Sequence, residues 1–302
     1  MDNLTHSLTG ALIGQTGLKK KTGLAMPALI IGANLPDIDA ACFFWLDGVE
    51  HLAFRRGITH GPIALVLLPL ILAGLLYGWD RWQDKRAKRP AGRLPVRFGW
   101  LLGVALIGCL THPALDWLNV YGIRLLEPFS SRWFYGDVLF IIDVWLWALL
   151  IAGTWLSRRR EKGGGDWRGA ARATLGLCGI YLVANFAISQ FDRADNAAFV
   201  ETISSPPPLA FWRRETIGVS GSGSFFVDGE RIGNTPLSAC DLAAAREQSE
   251  QVDAFLFWSR APVITRLENG THLLGDARYY GLKDGRFSVT LPDGLCSEPG
   301  GN

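Results

Sequence analysis

Charge is scarce in this chain. Asp, Glu, Lys and Arg make up 19% of its 302 residues, below the roughly 25% of soluble globular chains. Hydrophobic residues reach 49% and mean hydropathy is +0.17, which excludes intrinsic disorder and a single ordinary soluble domain. Neither half carries a basic patch interleaved with aromatics, so nucleic acid is excluded as a partner. The first segment lacks a cationic n-region and an A-x-A site, which argues against a cleaved signal peptide. Histidine is sparse, and after residue 191 only His272 remains, read as a strand residue facing solvent.

What is present is long apolar sequence. About 20 apolar residues cross a bilayer, and five stretches qualify: residues 24–45, 59–79, 98–118, 138–157 and 173–191. A shorter segment, Ser7 to Leu18, precedes them, with Gly10 and Gly14 spaced for close helix approach. The expectation is an all-α polytopic membrane domain over residues 1–195, with about five spans plus a short N-terminal helix. A Pro-rich linker over 196–208 and a small α+β extracytoplasmic domain over 209–302 follow.

Basic residues set the direction. Residues 1–191 carry 20 Lys and Arg against 13 Asp and Glu. Sixteen of the 20 fall in three loops: Lys19–Lys21, Arg81–Arg97 and Arg158–Arg172. If each span crosses once, these loops share one side, which the positive-inside rule makes cytoplasmic. The loops 46–58 and 119–137, and everything after residue 192, then face outward. Trp45, Trp100, Trp117, Trp133 and Trp145 read as an interfacial belt. Cys42, Cys109 and Cys178 lie in apolar spans. Cys240 and Cys296 lie in the exported domain, where a disulfide and two free thiols both stay open.

In that last domain, Ser224–Val227 before Asp228-Gly229 reads as a hairpin. Strands are expected at Pro262–Leu267, His272–Tyr280 and Arg286–Leu291, and a helix over 239–257. No catalytic constellation is legible there.

The anomaly is polar sequence inside the spans, where an Asp costs roughly 2.5–3.5 kcal/mol on insertion scales. It comprises Asn34, Asp37 and Asp39 in A-N-L-P-D-I-D, His60 in R-R-G-I-T-H, His112 and Asp116 in T-H-P-A-L-D-W, Asp143 in I-I-D-V-W, and His6. The topology puts all of them near the outer leaflet. His112 and Asp116 are four apart and share a helix face. Pro36 is expected to break the 24–45 span just before its two carboxylates, and Pro113 to loosen the 98–118 span. Three imidazoles (His6, His60, His112) and three carboxylates (Asp37, Asp39, Asp116) suit one to three divalent ions, zinc by preference. A metal-activated water is the expected nucleophile. Asp39 is also a candidate acid/base partner. Arg56 is the candidate for stabilising developing negative charge, and Asp143 for orienting a ligand imidazole, with Arg124 or Arg132 as its alternative partner.

These residues also carry a resemblance. D-x-L-T-H (Asp2–His6), L-P-D-I-D (Leu35–Asp39), R-G-I-T-H (Arg56–His60), H-x-x-L-D (His112–Asp116), Y-G-I-R-L-L-x-P-F-S (Tyr121–Ser130) and F-I-I-D (Phe140–Asp143) follow one another over residues 1–160. The set resembles a family of bacterial inner-membrane metal-dependent hydrolases, distantly similar to zinc-dependent phospholipases C and single-strand-specific zinc nucleases. The resemblance implies phosphoester hydrolysis on a lipid or lipid-linked substrate at the bacterial inner membrane. Two positions depart from it: Arg55 stands where the family often has His, and Gly61 where it often has Ser. His51 is a candidate substitute for the first. Two other classes stay open, a metal-ion or proton-coupled transporter and a non-catalytic envelope assembly protein. The oligomeric state is not legible.

Overall fold

The computed structural model describes residues 1–196, 198–221, 223–280 and 285–297. It forms two compact units. One comprises Met1–Asp39, Arg56–Ile188 and Pro206–Trp212. The other comprises Ala40–Arg55, Ser189–Ser205 and the described residues from Arg213 onward.

The first unit is helical: α1 (Asn3–Gln15), α2 (Ala25–Asn34), α4 (Pro62–Lys85), α5 (Phe98–Trp117), α6 (Val144–Lys162) and most of α7 (Trp167–Asp195). Asp2 caps α1 by accepting from the N–H groups of Leu4 and Thr5. Small residues set the packing distances. A Cβ on Gly32 of α2 would sit 2.8 Å from the carbonyl oxygen of Ala105, and one on Gly108 of α5 would sit 2.7 Å from that of Leu29. The α2 and α5 backbones therefore touch, and α1 closes on α2 through Gly10 in the same way. One apolar core gathers Ala25, Leu29, Leu72, Leu101 and Val104. Another gathers Met1, Leu12, Leu139, Leu146 and Leu150.

Among the described residues, four helices are long and apolar enough to cross a membrane: Ala25–Phe44, Pro62–Lys85, Phe98–Trp117 and Trp167–Asp195. The stretch expected as a span over 138–157 differs. Residues 138–143 are not helical, and α6 starts at Val144, where Asp143 caps it. Its last turns carry Arg158, Arg159, Arg160, Glu161 and Lys162, so its apolar length falls short. In the 24–45 stretch the α-helix ends at Asn34, just before Pro36, as expected, but the chain does not open into an irregular turn. The chain tightens there from α-helix into a 3-10 helix over Leu35–Phe44 and keeps winding. Likewise α5 runs through Pro113 to Trp117.

The second unit holds two antiparallel sheets, ordered β1-β2-β3-β4 and β5-β6-β7. The strands are β1 (Glu201–Ser205), β2 (Glu215–Val219), β3 (Phe225–Val227), β4 (Glu230–Ile232), β5 (Pro262–Arg266), β6 (His272–Asp276) and β7 (Ser288–Thr290). Ile203, Ile217, Phe225, Ile232, Ala261 and Val263 form its core. Asp228 and Gly229 both take positive φ (49° and 84°), as a type I′ hairpin turn requires. The expected helix over 239–257 is two helices, α8 (Leu242–Gln248) and α9 (Glu250–Trp258), divided where Ser249 caps the second. Cys240 and Cys296 are joined in a disulfide.

Two segments differ from the sequence reading. Within the expected linker, residues 201–205 are strand β1, and Pro206–Trp212 docks on the helical unit, where Trp145 Nε1 donates to the Leu209 carbonyl (2.8 Å) and Phe211 packs on Tyr181. Residues 40–55 belong to the second unit. Their short helix α3 (His51–Phe54) packs against α9.

Candidate metal centre

Four of the six expected ligands converge. Asp37, His60, His112 and Asp116 each offer one ligand atom, and these atoms lie within 4.8 Å of one another. They come from the 3-10 continuation of α2, the turn before α4, and the last turns of α5. His60, His112 and Asp116 are fully buried. Asp37 is the most open of the four, with its side chain 10% exposed.

Two imidazoles are locked from behind. His112 Nδ1 donates to the carbonyl oxygen of Ala33 (2.7 Å), across the contact that Gly32 and Gly108 permit. His60 Nδ1 donates to Thr59 Oγ1 (2.9 Å), whose hydroxyl donates in turn to Asp39 Oδ2 (3.1 Å). Both bonds assign the proton to Nδ1 and leave Nε2 as a lone pair. His60 Nε2 and His112 Nε2 each lie 3.6 Å from Asp116 Oδ2, and His112 Nε2 lies 3.8 Å from Asp37 Oδ1.

Both Nε2 atoms are buried without a hydrogen-bond partner among the described residues. Leaving such an atom unsatisfied costs about 1–3 kcal/mol, and here two share a space of a few ångströms. Metal–ligand distances of 2.0–2.2 Å around tetrahedral zinc imply ligand–ligand edges of about 3.3–3.6 Å. The separations of 3.6 and 3.8 Å are close to that. The donor set, two imidazoles and two carboxylates, fits a divalent cation.

The remaining expected ligands fall outside this set of four. His6 stands beside it, stacked on His112 with ring centroids 3.9 Å apart and Nε2 3.3 Å from Asp116 Oδ1. The amino terminus of Met1 also donates to Asp116 Oδ1. Asp39 sits one layer back. Besides Thr59, its Oδ2 accepts the backbone N–H of Arg56 (2.8 Å). It therefore shapes the Arg56–His60 turn and buttresses His60.

Arg56 borders the cluster. Its Nε lies 3.0 Å from Asp116 Oδ2, its Nη1 donates to Asn119 Oδ1 (3.0 Å), and its guanidinium lies over Tyr121. The residue has φ of 56°, a left-handed conformation costly for a side chain of this size. Among the described residues, Asp143 is bonded to no imidazole. Its carboxylate caps α6 at the Leu146 N–H (2.7 Å) and accepts from the Tyr181 hydroxyl, because it opens that helix. Asn34 ties α2 to α1 through Ser7.

The two departures have structural accounts. A Cβ on Gly61 would sit 1.9 Å from the carbonyl oxygen of Glu127, so no hydroxyl-bearing side chain fits there. Arg55 stacks on Phe43, and His51 Nδ1 bonds to the Gly48 carbonyl. Neither belongs to the set of four. Sequence reasoning missed Thr59, Asn119 and the Ala33 carbonyl. Thr59 lies inside a motif already singled out, whereas a backbone acceptor leaves no trace in the sequence.

Apolar helices around a buried His/Asp cluster that could hold a cation define a polytopic membrane protein. Residues 1–191 match the family described as YdjM inner membrane protein, and the chain belongs to that family. It is a multi-pass inner-membrane protein. Searches of curated proteins and of solved structures give no match.

Proposed function

We propose that this protein is a membrane-embedded, metal-dependent hydrolase acting on a phosphoester of a lipid or lipid-linked substrate at the outer leaflet. The observation that carries the reading is the pair of buried, partnerless Nε2 atoms of His60 and His112 facing Asp37 and Asp116. Zinc is the proposed ion, because a compact set of nitrogen and oxygen donors suits it.

When bound, the ion supplies Lewis acidity that polarises a phosphoryl oxygen and activates water near neutral pH. The chain supplies the rest. The Ala33 carbonyl and the Thr59–Asp39 relay hold the two imidazoles in one tautomer and raise their basicity. Arg56 holds Asp116 on its Nε edge and places a fixed cation where charge on a phosphoryl oxygen develops. Asp37, the most open member, is the proposed proton acceptor from an incoming water, which leaves His60, His112 and Asp116 as the three protein donors of an open catalytic site, and His6 stacks beside His112.

Loop charges favour the outward placement of the site, and the C-terminal unit shares that side if α6 crosses together with the four longer helices. The Cys240–Cys296 disulfide is compatible with an oxidising compartment. Metal content measured by plasma mass spectrometry, alongside turnover of a phosphodiester and of a phospholipid by purified protein, tests the reading. Stoichiometric metal and turnover that vanish together in His112→Ala support it. Metal-free wild type, or unchanged metal in that variant, overturns it.

A further inference from the structure

Helix α6 leaves its apolar stretch at Leu156 and ends in Ser157-Arg158-Arg159-Arg160-Glu161-Lys162. Two cavities open along this end. One, of about 580 Å³, runs past Leu8, Ile151 and Trp155 to Arg158, Arg159 and Lys162. The other, of about 380 Å³, shares Thr154, Arg158 and Lys162 with it and continues past Ala11, Met26 and Ile30. Together they make one groove with an apolar wall and a cationic end.

The cations differ in their engagements. Lys19 is paired with Glu161, donates to Gln15 (2.9 Å) and lies over the Trp167 ring. Glu161, the only carboxylate among the described residues that line the groove, is thereby neutralised. Arg158 and Lys162 make no ion pair among the described residues, and Arg159 stacks on Trp155 at 5.2 Å. Thr154, which lines both cavities, has a buried hydroxyl oxygen without a hydrogen-bond partner among the described residues.

An uncompensated positive end, a buried hydroxyl and a long apolar wall ask for one molecule with a phosphate and a hydrocarbon chain. Free phosphate would meet the cations but leave the wall uncovered. We propose that this groove binds an anionic phospholipid, with its phosphate between Arg158 and Lys162, a glycerol or ester oxygen at Thr154, and one acyl chain along Leu8, Ile151 and Trp155. None of these residues belongs to the His/Asp cluster, so the inference stands apart from the hydrolase reading.

Trp155 makes the site observable. The full chain is reconstituted in nanodiscs containing brominated phosphatidylglycerol or brominated phosphatidylcholine in a neutral background. Quenching of Trp155 is taken as the difference between wild type and Trp155→Phe, since the chain has 12 tryptophans. The expected result is stronger quenching by the anionic lipid. That preference should fall about fivefold per cation removed in Arg158→Gln/Lys162→Gln, from the attraction of one Lys or Arg near an anionic surface. It should persist in Arg86→Gln/Lys88→Gln, which removes the same charge from the α4–α5 loop, and should not respond to added inorganic phosphate. Equal quenching by both lipids in wild type, or equal loss in the two double variants, overturns the proposal. So does displacement by phosphate alone. Unchanged helicity by circular dichroism confirms that each variant is folded.

Discussion

His112 donates its Nδ1–H to the carbonyl oxygen of Ala33, 2.7 Å away on the neighbouring helix, and so turns Nε2 toward Asp37 and Asp116. The bond exists because Gly32 and Gly108 let α2 and α5 approach to backbone contact. Helix packing, more than any loop, fixes the ligand.

Ligand and buttress are expected to separate in a metal titration. His112→Ala removes a donor from the set of four and should abolish stoichiometric binding. Asp39→Asn keeps the donors but weakens the relay through Thr59 to His60. Such outer partners typically cost 10–100-fold in metal affinity. Competition against a chelator of known affinity measures both. Equal losses in the two variants would make Asp39 a ligand instead of a support.

Gly61 offers a steric test. A Cβ there meets the Glu127 carbonyl at 1.9 Å, and that backbone cannot swing aside as a side-chain end can. Gly61→Ala should therefore displace the turn carrying His60 and lower both thermal stability and metal content. Gly103→Ala, on α5 with open space around it, should leave both nearly unchanged. Differential scanning fluorimetry with metal analysis checks the pair. Indifference at Gly61 would mean that the loop around Glu127 is not seated as described.

Much of this site was legible because burial makes polar residues conspicuous. His112 and Asp116 stand four apart in an apolar helix, and that spacing alone puts them on one face. His60 and Asp37 followed from their expected depth at the ends of other spans. The two carboxylates that fall outside the set of four share a cause. Asp39 and Asp143 are also costly carboxylates, but each is satisfied by backbone N–H groups at a turn or helix start. Composition does not distinguish a carboxylate bonded to amides from one facing a cation. The fold followed the same logic. Helices with long apolar runs were readable, whereas α6 was misplaced because apolar residues 138–143 continue a non-helical excursion. Strands β1 and β2 are short, and β1 lies within a stretch dominated by its following prolines.

Arg56 tests the chemistry apart from the metal. Its guanidinium reaches Asp116 with Nε and Asn119 with Nη1 at 3.0 Å each, a fork that a lysine ammonium cannot reproduce. Under the proposed hydrolase reading, Arg56→Lys should retain metal yet lower kcat by about 10²–10³-fold, the usual effect of removing one preorganised donor. Steady-state kinetics on a phosphodiester, with KM followed separately, checks this. An unchanged kcat removes Arg56 from the catalytic role.

The C-terminal unit has its own acid-sensitive lock. Asp276 is buried and binds Arg278 twice, Nε to Oδ1 and Nη2 to Oδ2 at 2.8 Å each, and also accepts from the Ser259 hydroxyl at 2.6 Å. Burial pushes its pKa up, but the Arg278 charge and these hydrogen bonds outweigh it and hold the carboxyl below its ordinary value of 3.8. The unfolded chain therefore binds the proton more readily than the folded one. The pair's contribution is complete above that ordinary value and is lost as pH falls through it toward the lower folded value. Urea unfolding of the full chain, followed by fluorescence of Trp258 beneath the Arg278 guanidinium, should show a midpoint flat near neutrality and falling in acid. Arg278→Met should cost about 3–5 kcal/mol at neutral pH by stranding a buried charge. In that variant Asp276 prefers the neutral form, so acid should relieve part of the loss. The same acid slope in variant and wild type would show that another carboxylate controls it.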